Sequence, residues 1–257
     1  MNFGRIEESL TATHIALSQW SAMEFKQLVL AQKPNVAVFD CDGTLWSGDS
    51  GVGFMEWSIE QGLVSRSTAD WIDTRHRAYQ AGAVSEVTIC GEMVQIYAGL
   101  REQELRTAAV RYVQEFVPSR FFAEMVELVD ELRQSGVELW AVSSTNKWVV
   151  SEGVRALGIS EDHVLAAEVR VEDGLITPEI VDVPTGAGKA VSLKRVGLGS
   201  PDVVFGNSIH DLAMLEIARQ PFPVNPSPAL LAAAVKNGWG YFRPQGAIST
   251  DTTVHAG

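Results

Sequence analysis

The chain has 257 residues, of which 46% are hydrophobic, a size that suits one sizeable domain or a core with an insertion. A formal net charge of −12 at pH 7 disfavours nucleic acids and anionic membrane surfaces as partners. The sequence has two cysteines, no signal segment at Met1–Leu10 and no apolar run of membrane-spanning length, so we expect a cytoplasmic protein.

The first half of the chain predicts a helix, a strand and a long helical stretch. Residues 1–33 are expected to form an N-terminal helical extension, in which Ser21-Ala22-Met23-Glu24 is a capping box. The apolar run Val36–Phe39 predicts a short buried strand. Residues 50–117 have helical spacing throughout, which predicts an all-helical insertion that forms a cap.

Helices and strands alternate again over residues 118–244. Two strands and a hairpin are predicted there, at Val137–Val142, Val203–Phe205 and Val169–Ile176. Together with residues 34–49, this alternation predicts an α/β core of three layers with a mostly parallel sheet. The small polar residues 245–257 predict a disordered tail.

Two carboxylates, Asp40 and Asp42, directly follow the first predicted strand. Ligands of open α/β sheets bind at the carboxyl ends of the strands. One carboxylate there can attack an electrophile while the other transfers a proton. A polar turn after a core strand is the alternative, because Asp and Gly are favoured turn residues.

Three further features follow in order along the chain. Ser143 ends the second strand, Lys189 begins a helix, and Gly206-Asn207 ends the third strand with Asp211 four residues on. Each also has a structural explanation, since a serine at that place is an ordinary helix N-cap and a helix lysine is usually solvated. The ordered combination favours a functional site.

This order of motifs resembles the haloacid dehalogenase superfamily of phosphohydrolases, and within it the phosphoserine phosphatase-like branch with a helical cap. The resemblance implies a Rossmann-like parallel-sheet core with an inserted cap. It also implies hydrolysis of a small phosphomonoester. Asp42 disfavours a dehalogenase, because a halide leaving group needs no acid.

The resemblance assigns a role to each motif. The implied catalytic residues are Asp40 as nucleophile, Asp42 as general acid and base, and Ser143 and Lys189 as phosphate-binding groups. The implied Mg²⁺ ligands are Asp40, the backbone carbonyl of Asp42, Asn207 and Asp211. Gly43, Thr44 and Ser144 are expected to complete the phosphate site.

Asn207 is a departure, because the family usually has an acid at this position. An amide oxygen can ligate Mg²⁺ but contributes no charge. A non-catalytic phosphate-binding protein is therefore an alternative to a phosphatase.

Asp49 and the tryptophans of the first half bear on the substrate. Asp49 lies nine residues after Asp40, where phosphoserine phosphatases carry a Glu that contacts the substrate ammonium. The arginine expected for the substrate carboxylate is missing from the segment after Gly82. Trp46 and its neighbours could bind an ammonium group by cation–π attraction, which makes phosphocholine or phosphoethanolamine alternative substrates, although such tryptophans are more often core residues.

Overall fold

The computed structural model describes residues 18–247. Most of the predicted tail and the first half of the predicted N-terminal extension therefore lie outside the described residues. Within the described range, no helix is both long enough and apolar enough to cross a membrane.

The described residues contain eight strands and ten α-helices. The strands are β1 (Gln19–Trp20), β2 (Val36–Phe39), β3 (Glu138–Asn146), β4 (Val164–Glu172), β5 (Leu175–Asp182), β6 (Val203–Gly206), β7 (Gln220–Pro223) and β8 (Tyr241–Phe242). The helices are α1 (Ala22–Ala31), α2 (Ser50–Glu60), α3 (Arg66–Gln80), α4 (Glu86–Gln95), α5 (Glu102–Phe116), α6 (Ala123–Gln134), α7 (Lys147–Arg155), α8 (Ala187–Arg195), α9 (Leu212–Glu216) and α10 (Pro228–Asn237).

Six of the strands form one sheet in the order β5-β4-β3-β2-β6-β7. All neighbours are parallel except β4 and β5, which form the antiparallel hairpin predicted from Asp173-Gly174. The central strand β2 pairs with β3 on one side and β6 on the other. The chain thus leaves β2 at a point where the strand order reverses, which is where such sheets bind ligands. The predicted α/β core with a parallel sheet is confirmed.

Helix α1 packs on this sheet. The Ser21–Glu24 capping box is present, with the Glu24 carboxylate accepting from the Ser21 N–H at 2.8 Å. Phe25 is buried and stacks on Phe242 with ring centroids 4.4 Å apart. The described part of the predicted extension therefore contributes to the core, because its apolar face is covered by strand residues.

Helices α2 to α5 occupy the whole connection between Ser50 and Phe116. Backbone hydrogen bonds join this connection to the β4–β5 hairpin: Gly99 N–H donates to the Ile176 carbonyl at 2.8 Å, and Ile176 N–H donates to the Leu100 carbonyl at 2.9 Å. The four helices are thus attached to the sheet at the hairpin as well as at their own ends.

Candidate active site

A buried ion-paired cluster lies at the carboxyl end of β2. Lys189, in the first turn of α8, donates to the Oδ1 atoms of Asp40 and Asp211 at 2.6 Å each and to the Val142 carbonyl at 3.0 Å. The side chains of Lys189, Asp40 and Asp211 are only 3%, 9% and 1% exposed. The two carboxylates therefore depend on one ammonium for charge compensation.

Burial affects the proton affinities of this cluster. Burial raises the pKa of Asp40 to about 7, the Asp211 charge adding to the rise and Lys189 opposing it. For Lys189, burial favours the neutral form, but the charges of Asp211 and Asp40 outweigh it and raise the pKa of Lys189 above its ordinary value. Lys189 therefore carries its charge in the site.

Asp211 also shapes the loop that follows β6. Its Oδ2 accepts from the backbone N–H groups of Asn207 and Ser208 at 2.9 and 2.8 Å. A Cβ atom at Gly206 would lie 2.6 Å from the Asp211 Cβ, so glycine is needed for this close approach. Because both carboxylate oxygens bond to protein groups and the side chain is closed to solvent, Asp211 orients Lys189 and the loop instead of facing an open metal position.

The turn that follows β2 lies against the Asn207 side chain. Gly43 has a φ of 82°, and a Cβ there would lie 1.9 Å from the Asn207 Nδ2. Thr44 donates from Oγ1 to the Asp40 Oδ2 at 2.9 Å. Gly43 therefore admits the Asn207 amide, and Thr44 holds the Asp40 carboxylate.

Of the four expected ligands of a divalent cation, Asp211 is bonded to Lys189 and to the loop after β6, and the other three form an all-oxygen set. Asp40, the Asp42 carbonyl and the Asn207 side-chain oxygen are ligands that a hard cation such as Mg²⁺ accepts. In the described range, the side-chain amide of Asn207 has no protein hydrogen-bond partner, and no group of three His, Cys, Asp or Glu residues could hold a metal. The residues present fit Mg²⁺ only as a mixed set of carboxylate, amide and backbone oxygens.

Four hydrogen bonds hold the Asp42 carboxylate. Its Oδ1 accepts from Trp46 Nε1 and from the Ser50 backbone N–H, both at 2.7 Å. Its Oδ2 accepts from Ser50 Oγ at 3.0 Å and from Thr145 Oγ1 at 2.8 Å. Neither Ser50 nor Thr145 is among the residues predicted from the sequence. Thr145 is two residues beyond Ser143, the spacing that places strand side chains on one face.

The prediction that Trp46 binds substrate is wrong. Trp46 is 1% exposed and packs edge-on against Phe121, while its indole N–H is bonded to Asp42. Trp57 is also buried, beside Phe54, and Trp71 is on the surface. Trp46 packs against Phe121 and Trp57 packs against Tyr112 of α5, and spacing along the chain does not reveal these distant neighbours.

The two serines after Val142 have different surroundings. The strand predicted to end at Val142 continues to Asn146, so both serines belong to β3. Ser143 is 2% exposed, and its Oγ accepts from the Thr145 N–H at 3.1 Å. Ser144 instead lines a cavity next to Asp42.

This cavity, of about 130 Å³, separates the β2 turn from the inserted helices. Its apolar wall comes mainly from α4, and its polar lining comes from the turn after β2, the N-cap of α2, α3, the start of α4 and β3. The lining residues are Asp42, Asp49, Gly51, Val52, His76, Tyr79, Glu86, Ile89, Cys90, Met93, Val94, Ser144, Thr145 and Asn146. Asp49 is also the N-cap of α2, accepting from the Val52 N–H at 2.8 Å.

Glu86 connects the inserted helices to the core across this cavity. Its Oε1 accepts from Thr185 Oγ1 at 2.6 Å, and its Oε2 contacts His210 Nε2. This contact raises the pKa of His210. His210, which follows β6, is therefore a residue of the core that pairs with an acid of the inserted helices.

Comparison with known proteins identifies the family. The model of the family described as haloacid dehalogenase-like hydrolase matches residues 37–216, more than half of the chain. The expected resemblance is thus confirmed.

Two relatives have names that describe phosphatases. A Mycobacterium tuberculosis protein named as a probable phosphatase is 28% identical over 214 residues, covering 79% of this chain and 73% of that protein. The histidinol-phosphatase of Neisseria meningitidis is 23% identical over 216 residues, covering 80% of this chain and 96% of that enzyme.

A solved structure agrees with the fold. It is a phosphoserine phosphatase in a phospho-aspartyl intermediate analogue form, with a TM-score of 0.54, 18% identity, and coverage of 82% of this chain and 93% of that chain. The chain is a member of the haloacid dehalogenase-like hydrolase family.

Proposed function

We propose that the protein is a Mg²⁺-dependent phosphatase that hydrolyses a small phosphomonoester through an aspartyl phosphate on Asp40. The observation that carries this proposal is the 2.6 Å bond from Lys189 to Asp40, next to a cavity that reaches Asp42. A nucleophilic carboxylate, a fixed cation and a second carboxylate facing the leaving group are the parts that phosphoryl transfer requires.

The first step forms the covalent intermediate. An Asp40 oxygen attacks phosphorus and the bond from phosphorus to the ester oxygen breaks, while Asp42 gives its proton to that oxygen and an alcohol leaves. Lys189 offsets negative charge on the phosphoryl group and holds the Asp40 carboxylate in place. Bound Mg²⁺, held by Asp40, the Asp42 carbonyl and Asn207, would supply further charge neutralisation.

The second step returns the enzyme to its starting state. Asp42, now a carboxylate, takes a proton from water as the water oxygen attacks phosphorus. The bond from phosphorus to Asp40 breaks, inorganic phosphate leaves, and Asp42 again holds the proton. Ser143 and Ser144 remain the proposed donors to the phosphoryl oxygens.

The cavity favours a substrate whose leaving group carries an amine and no carboxylate. Asp42, Asp49 and Glu86 supply acidic groups to the lining, which contains no lysine or arginine. The carboxylate of phosphoserine would meet no lysine or arginine there, whereas an ammonium or imidazolium would be attracted to the three acids. We therefore propose a small amino-alcohol phosphate, and the similarity to a histidinol-phosphatase makes histidinol phosphate one candidate.

The two earlier alternatives have less support. The phosphocholine hypothesis depended on Trp46, whose ring is buried in the core. The non-catalytic alternative depended on Asn207, yet the buried Asp40–Lys189 pair is intact. A cytoplasmic location remains a prediction of the sequence.

A phosphomonoester panel tests both the reaction and the substrate class. The panel contains histidinol phosphate, phosphoethanolamine, phosphoserine, glycerol phosphate and p-nitrophenyl phosphate, each with Mg²⁺ and with EDTA. We expect turnover that EDTA abolishes, with kcat/KM for the amino-alcohol phosphates at least about tenfold above phosphoserine. Binding of inorganic phosphate without turnover of any ester would support the non-catalytic alternative, and a preference for phosphoserine would contradict the substrate class.

A further inference from the structure

The Asp42 carboxylate is held more completely than a loop carboxylate requires. Its donors come from three separate segments: the β2 turn through Trp46, the start of α2 through Ser50, and β3 through Thr145. Water could satisfy a carboxylate that borders a cavity, so protein donors at 2.7–3.0 Å fix its orientation instead.

The two oxygens of Asp42 have different kinds of donor. Oδ1 faces two N–H groups, from Trp46 and from the Ser50 backbone, which can only donate. Oδ2 faces two hydroxyls, Ser50 Oγ and Thr145 Oγ1, which can rotate and accept as well as donate. An oxygen that carries a proton needs neighbours that can turn their own hydrogens away, and only Oδ2 has them.

We infer that Trp46, Ser50 and Thr145 are positioning residues that anchor Asp42 through Oδ1 and leave Oδ2 as the oxygen that exchanges the proton with the leaving group. This inference rests on the proposed phosphatase function. The N–H donors hold Oδ1 in every state of the cycle. The hydroxyls of Ser50 and Thr145 donate to Oδ2 when it is ionised and turn their hydrogens away when it carries the proton.

The residues that hold Asp42 belong to both the inserted helices and the core. Ser50 is the first residue of α2, where the inserted helices begin, and it contributes one donor to each Asp42 oxygen. Thr145 lies on β3 in the core and lines the cavity. Proton transfer therefore requires that the first inserted helix and the sheet both hold the Asp42 carboxylate.

The inference is tested by leaving-group selectivity. p-Nitrophenolate is a weak base that departs with little help from an acid, whereas the alkoxide of benzyl phosphate needs a proton. The value of kcat/KM reports the step in which the ester bond breaks. We would measure it for both esters in the wild-type enzyme with Mg²⁺ and in four variants: Thr145→Val, Thr145→Ser, Ser50→Ala and Ser58→Ala.

Thr145→Val keeps the side-chain shape but removes the hydroxyl. We expect it to lower kcat/KM for benzyl phosphate by about 10- to 100-fold and for p-nitrophenyl phosphate by less than about threefold. Thr145→Ser should restore the selectivity. Ser50→Ala should shift the ratio in the same direction by a smaller factor, because its backbone N–H remains.

Ser58→Ala is the matched control, since Ser58 is another buried hydroxyl of α2 that bonds to Met55 and Tyr97, away from Asp42. It should leave the ratio of the two esters unchanged. Equal losses on both esters in Thr145→Val and Ser50→Ala would show a merely structural role and overturn the inference. If the wild-type enzyme hydrolyses neither ester nor any member of the panel, the proposed function itself fails; an active wild type with unchanged ratios contradicts only the positioning role.

Discussion

The two sides of the site are built differently. On the core side, Asp40, Lys189 and Asp211 are buried and joined by bonds of 2.6 Å. On the insertion side, Asp49 and its neighbours line an open cavity, and no cation of a lysine or arginine compensates their charge there. The buried cluster suits the steps that are the same for every phosphate ester. The acidic lining of the cavity is where one leaving group can be distinguished from another.

The largest expected effect is on the core side. Asp40→Asn removes the proposed nucleophile while keeping the side-chain shape, so kcat for p-nitrophenyl phosphate should fall at least about 1,000-fold. Circular dichroism should show an unchanged fold. Near-normal turnover would refute the assignment of Asp40 as the nucleophile. It would also contradict the view that the core side carries the reaction while the insertion side selects the substrate.

Lys189→Met should cost both activity and stability. It leaves two buried carboxylates without their cation, which we expect to lower the free energy of unfolding by about 3–5 kcal/mol. Lys194→Met is the control, because Lys194 is exposed on the same helix and its loss should change stability by less than about 0.5 kcal/mol. Urea unfolding measures both, and equal effects would mean that the cluster is not the charge-paired unit described above.

The Mg²⁺ dependence of activity tests the role of Asn207 separately from that of the Asp40–Lys189 ion pair. Activity should disappear with EDTA and return with Mg²⁺. Asn207→Asp adds a charged oxygen ligand and should lower the Mg²⁺ concentration for half-maximal activity by about tenfold. An unchanged Mg²⁺ dependence in this variant would argue that residue 207 does not ligate the ion.

The smallest effect is expected on the insertion side. Asp49→Asn removes a charge from the cavity but keeps the α2 cap, because Asn caps helices as well as Asp does. KM for the amino-alcohol phosphates should rise about tenfold with little change for p-nitrophenyl phosphate. A uniform rise for both kinds of ester would show that Asp49 does not select the amine.

Local patterns predicted the elements of the core side well. The Val36–Phe39 strand, the Ser21 capping box and the hairpin at Asp173-Gly174 all depend on neighbouring residues, and all are present. The order of the motifs and their resemblance to the family select Lys189 and Asp211, and both belong to the ion-paired cluster of Asp40.

The misjudged residues have partners far away in sequence. Spacing along the chain suggests a substrate-binding role for Trp46, because it does not reveal that Phe121 packs against this ring in the fold. Thr145 is absent from the predicted site because β3 extends four residues beyond the end of the predicted strand. Glu86 is absent from the predicted site because its partners, Thr185 and His210, belong to the core and are distant in sequence.

The sequence by itself determined the fold class and the order of the motifs, and it supplied the candidate nucleophile, because buried strands, turn glycines and paired carboxylates leave local signatures. Only the tertiary structure decided which groups hold Asp42, what lines the cavity and that Asp211 orients Lys189. These depend on contacts between distant residues such as Asp42 and Thr145, which are 103 positions apart. A hydrogen bond across such a distance is set by the packing of whole elements rather than by any local pattern.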